Sequence, residues 1–141
     1  MLLTSIFFIL TVTLLGLFLI SGTNTQLIRV FSLFSSAIVL FLSCGLLVQF
    51  DCNSYYFQSV VTYTLGSELM NLTFSFGLDG ISIFFFVLTS LLIFLCILFV
   101  WNERLLKEYV LNLLLIELLL LLVFSFFDLF LFYIFFEAIL I

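Results

Sequence analysis

Residues 109–141 read YVLNLLLIELLLLLVFSFFDLFLFYIFFEAILI, an apolar run interrupted chiefly by Glu117, Ser125, Asp128 and Glu137. A single α-helix over that run would be about 50 Å long, far beyond the ~30 Å hydrocarbon layer of a bilayer, so the run must break and cross twice. Ser125-x-x-Asp128 offers the break. A hydroxyl can cap an early helical N–H, and a carboxylate near a helix N-terminus is favoured by the dipole, so a new helix is expected to begin near Phe126. Toward the N-terminus, residues 81–101, 30–50 and 2–20 each hold enough apolar residues for one crossing and no charged residue. The expected fold is all-α: a polytopic transmembrane helix bundle forming one domain over residues 1–141, with crossings near 2–20, 30–50, 81–101, 107–124 and 126–141, the last of them incomplete.

Composition supports this reading and excludes several functions. Of 141 residues, 67% are hydrophobic and 8% charged, against roughly 45–50% and about 25% in soluble proteins. With 22 Phe and no His, the chain offers no imidazole base or metal ligand, which removes most hydrolase and metalloenzyme mechanisms. Cys44, Cys52 and Cys96 show no CxxC spacing, so no zinc site or iron–sulfur cluster is expected, and metal ligation is assigned to no residue. At a net charge of −5, with only Arg29, Arg104 and Lys107 to meet phosphate, a nucleic-acid partner is excluded. No Lys or Arg precedes the first apolar segment and a second crossing follows at once, so the segment reads as retained rather than as a cleaved signal. The Phe- and Leu-heavy composition, without an Arg-rich transit segment, suits synthesis inside an organelle with an AT-rich genome.

The basic residues cluster at one end of the helical pairs, which by the positive-inside rule marks the matrix or cytoplasmic face and puts the N-terminus on the other side. The segment 51–80 carries Asp51, Glu68 and Asp79 and no Lys or Arg, and belongs to that opposite face. Within it, Val60-Val61-Thr62-Tyr63-Thr64 and Asn71-Leu72-Thr73-Phe74-Ser75-Phe76, with Gly66 between them, read as a short surface β-hairpin between crossings 2 and 3. Asn71-Leu-Thr73 is formally a glycosylation sequon and is read instead as a strand start.

From Phe126 the chain runs about 16 residues, roughly 24 Å of helix, to Ile141. No polar residue closes that helix, and its last carbonyls would face lipid unpaired at several kcal/mol each. A further segment, on this or a companion polypeptide, is therefore expected to follow.

Among the eight acidic residues, Asp51, Glu68, Glu103 and Glu108 fall at expected interfaces and read as solvated charge. Asp79, flanked by Gly77 and Gly80, stands where a carboxylate can cap crossing 3 while the glycines permit the turn. Glu137 is different. About 12 residues beyond Ser125, it lies roughly 18 Å into its helix and near the bilayer midplane, where a charge costs about 2.5 kcal/mol or more and marks a functional site. A carboxyl there can take and release a proton. No Lys or Arg lies inside any expected crossing, so a basic partner for it must come from elsewhere. Glu117, midway along crossing 4, is the second proton-translocation candidate, and Asp128 is read first as a cap and second as a point where protons enter.

Three stretches form a series: Phe76-Gly-Leu-Asp-Gly-Ile-Ser-Ile-Phe84, then Lys107-Glu-Tyr109, then Asp128-Leu-Phe-Leu-Phe-Tyr-Ile-Phe-Phe-Glu-Ala-Ile-Leu-Ile141. Over roughly the half of the chain from Phe74 to Ile141, the sequence resembles the N-terminal part of the chain 4 subunits of respiratory complex I, the proton-translocating NADH:ubiquinone oxidoreductase. The resemblance implies an antiporter-like membrane-arm subunit in which Glu137 matches a glutamate thought to pair with a lysine on a later helix and to control proton movement through a hydrated channel. Glu117 matches a glutamate found in only some members. The resemblance further implies residence in the mitochondrial inner membrane among lipids and other membrane-arm subunits, with a companion fragment after Ile141. It also implies that no cofactor is held by this chain, NADH, FMN, iron–sulfur clusters and ubiquinone belonging to other parts of the complex. A sodium/proton antiporter subunit of the same superfamily, or a structural membrane protein that moves no ions, are the competing expectations.

Overall fold

A computed structural model of the chain describes residues 2–20, 22, 24–51, 56–65, 72–100 and 106–141. Cys52, Gly66, Glu68, Asn71, Glu103 and Arg104 lie outside the described residues. Four described helices are long and apolar enough to cross a membrane: α1 (Leu2–Leu19), α2 (Thr25–Gln49), α3 (Ser82–Phe99) and α4 (Leu106–Ser125). A shorter apolar helix, α5 (Leu129–Leu140), follows, and an antiparallel pair, β1 (Gln58–Leu65) and β2 (Leu72–Leu78), connects α2 to α3. This agrees with the expected all-α polytopic bundle carrying a short hairpin.

The core is made by one stripe from each long helix. In α2 the buried positions are Ile28, Ser32, Ser35, Ser36, Val39, Ser43 and Leu46, a helical spacing that places small side chains on the faces packed against α1, α3 and α4. Small residues let backbones approach closely, the main source of association between helices that lipid solvates as well as protein does. Each hydroxyl among Ser32, Ser36 and Ser43 donates to the carbonyl three residues earlier, and Ser43 Oγ also lies 2.7 Å from Ser90 Oγ of α3. α1 meets α2 closely at Gly16, where an added Cβ would come within 3.2 Å of the Phe31 ring.

Two boundaries differ from the sequence reading. α2 begins at Thr25, so Arg29 stands on the helix rather than in the preceding loop; the polar run Asn24-Thr25-Gln26 is its first exposed turn. Ser125 is the last residue of α4 and does not open α5, since its hydroxyl donates back to the Leu122 carbonyl at 3.0 Å. A serine at a helix C-terminus meets its own hydrogen-bonding demand this way, and the break comes three residues later.

The hairpin, the start of α1 and the α4–α5 turn meet at one end of the bundle. Strand β1 is irregular between Gln58 and Val61, with Ser59 at φ 56°, and from Val61↔Phe76 to Leu65↔Leu72 it pairs regularly. The side chain of Gln58 ties β1 back to the end of α2, accepting from Asp51 N at 2.9 Å and donating to Asp51 O at 2.6 Å.

Lys107 occupies the opposite end. Its ammonium donates to Ile20 O at 2.7 Å and to Phe18 O at 3.1 Å, and lies 5.9 Å from the Phe18 ring. A cation on the orphan carbonyls at the end of α1 satisfies groups that helix termini leave unpaired and complements the dipole. Lys107→Met is expected to cost about 1 kcal/mol and to speed amide hydrogen exchange in the last turn of α1 while leaving the hairpin unchanged.

Candidate carboxylate sites

The buried residues of α4 are Leu106, Val110, Leu114, Glu117, Leu121, Val123 and Ser125, so Glu117 stands between aliphatic side chains on a face whose other polar member is the terminal Ser125. It is 0% exposed, and both carboxyl oxygens are buried without a hydrogen-bond partner among the described residues. A polar group left so costs about 1–3 kcal/mol. α4 contacts α3, α5, α1 and α2, which encloses Glu117 within the bundle.

Glu137 is exposed on α5, a helix with no buried residue. It lies eight residues after Leu129, about 12 Å along the helix rather than the 18 Å expected, because α5 starts later than Phe126. Only Leu131, Phe135 and Ile139 are half-buried in α5, one residue per turn on the side toward α4. Glu117 thus points into this bundle and Glu137 away from it, and the structure does not bring the two carboxyls together.

Asp128 stands at the N-cap of α5, its Oδ1 accepting from Phe130 N at 3.1 Å. Asp79 does not cap α3 with its side chain. Its Oδ1 accepts from Gly80 N at 2.7 Å, while Asp79 N donates to Ser82 Oγ at 2.7 Å and Ser82 Oγ donates to Asp79 O at 3.0 Å. The serine therefore organises the first turn, and Ile81 is the capping residue. Gly80 has room for a side chain, with Phe50 3.8 Å from an added Cβ. Gly77 is not a turn residue: it is buried within β2, where an added Cβ would overlap the ring of Phe127.

Sequence reasoning missed two groups. The buried hydroxyls of Thr13, Ser32, Ser36, Ser43, Thr89 and Ser90 form a polar component of the core, and the serine spacing along α2 was the available signal. The hold of Lys107 on the end of α1 joins residues 87 positions apart and leaves no local trace.

No family model matches the chain. It is 42% identical over 127 residues to the NADH-ubiquinone oxidoreductase chain 4 of Chondrus crispus, covering 89% of this chain and 26% of that protein. It is 41% identical over 128 residues to the protein of the same name from Arabidopsis thaliana, covering 89% and 26%. To the NADH-quinone oxidoreductase subunit M of Rickettsia typhi it is 38% identical over 112 residues, covering 78% and 22%. The chain spans about a quarter of the length of the curated relatives it matches.

Proposed function

This chain is a relative of NADH-ubiquinone oxidoreductase chain 4 and NADH-quinone oxidoreductase subunit M over most of its own length, and from that we propose that it is a membrane-arm subunit of respiratory complex I that takes part in proton translocation. The likeness across 89% of the chain carries this reading, and four apolar helices long enough to cross a membrane fit it. The relatives' names favour complex I over a free-standing sodium/proton antiporter.

In this reading the chain is a multi-pass protein of the mitochondrial inner membrane, encoded in the organelle. Arg29 and Lys107 face the matrix, and the N-terminus, hairpin and Asp128 face the intermembrane space. NADH, FMN, iron–sulfur clusters and ubiquinone sit in other subunits. Glu137 carries the exchangeable proton and is directed at a basic group outside the described bundle. Redox energy released elsewhere changes the water and charge around that pair, and the proton moves as the pair opens and closes. Glu117 is a second proton-accepting group within the bundle.

Membership is tested by purifying the chain from its own membranes in mild detergent and identifying by mass spectrometry what accompanies it. Co-purifying complex I subunits are the expected result. Recovery of the chain alone, or with unrelated membrane proteins, overturns the assignment.

A further inference from the structure

α5 buries none of its residues, yet its start is fastened firmly. Phe126 forms an isolated antiparallel bridge with Phe76, and Phe127 N donates to Ser75 O at 3.3 Å, so the α4–α5 turn is pinned to the free edge of β2. The rings reinforce the backbone. Phe126 lies 4.6 Å from Phe76 and stacks on Phe135 of α5 at 5.0 Å with the ring planes 9° apart. Phe127 lies 4.4 Å from Phe57 and covers Gly77 so closely that a side chain there would displace it. Phe76 in turn reaches α1 through Phe7 at 6.1 Å. Aromatic pairs of this kind contribute beyond the area they bury.

The stack on Phe135 does more than attach the helix, because it selects which side of α5 faces the bundle. Each residue advances about 100° around a helix, so Glu137, two positions on, lies roughly 200° from Phe135 and points to the other side. The half-buried positions Leu131, Phe135 and Ile139 and the exposed Glu137 follow that geometry. We propose that the hairpin is the anchor that sets the rotation of α5, with Gly77, Phe126 and Phe127 as positioning residues that aim Glu137 away from the described helices and toward the basic group proposed for it. The inference rests on the reading of Glu137 as the proton-carrying group.

The test places spin labels at Val60→Cys on β1 and Ile134→Cys on α5, in a complex whose native cysteines are replaced, and measures their separation beside proton translocation per electron at matched assembly. Gly77→Val is expected to shift or broaden the distance and to lower translocation severalfold. Adding Phe127→Ala, which removes the obstructing ring, is expected to restore both. Phe126→Leu, which loses the stack without overfilling the site, should broaden the distance even if Gly77→Val fails to assemble. An unchanged distance in Phe126→Leu, or no rescue by Phe127→Ala, overturns the anchor. A shifted and rescued distance with unaltered translocation leaves the anchor standing and overturns the role given to Glu137.

Discussion

Glu137→Gln is expected to lower proton translocation through this subunit on the order of tenfold or more, with assembly and NADH oxidation in uncoupled membranes preserved. Glutamine keeps the shape and polarity of the side chain and removes only its exchangeable proton. Because Glu137 is exposed on α5, the substitution disturbs no packing within the described bundle. The loss would therefore report chemistry rather than folding. Translocation per electron, measured in reconstituted vesicles, decides the matter: a ratio equal to that of the parent complex rejects Glu137 as the proton carrier.

Glu117 invites the opposite experiment. Its two oxygens are buried without hydrogen-bond partners among the described residues, flanked along the buried face of α4 by Val110, Leu114 and Leu121. Glu117→Leu is expected to stabilise the bundle by about 1–3 kcal/mol, since an apolar side chain of similar size removes an unsatisfied buried group. Unfolding of the purified chain in mixed micelles by added SDS measures this directly. A protein that retains a destabilising group gains stability when it is removed and loses the function it served. The same variant is thus expected to translocate protons less well in the assembled complex. Stability that falls instead would show that Glu117 is a satisfied structural group.

Much of this was legible from residues alone, because membrane thickness imposes a length scale that helices cannot evade. The long apolar run had to break, and it does so at Asp128, where the carboxylate caps α5. Ser125 misled because a hydroxyl satisfies a helix beginning and a helix end equally well, and only the surrounding backbone separates the two. The burial of Glu117 follows from its spacing after Val110 and Leu114, whereas its lack of partners depends on what other helices present to it. Gly77 shows the same division. Its neighbours suggest a turn, but the glycine is required by a phenylalanine fifty positions away, a demand no local pattern contains.

The fastenings described at the two ends of the bundle are unequal. At one end, stacked rings, a strand edge and the doubly bonded Gln58 join the elements; at the other, Lys107 bonds the end of α1 beside the buried side chains of Leu17, Ile28 and Leu106. Ring stacks and ladder bonds act through fixed directions, whereas the lysine reaches its two carbonyls through a chain of rotatable methylenes. The ring end therefore sets angles between elements, and the lysine end sets only a distance.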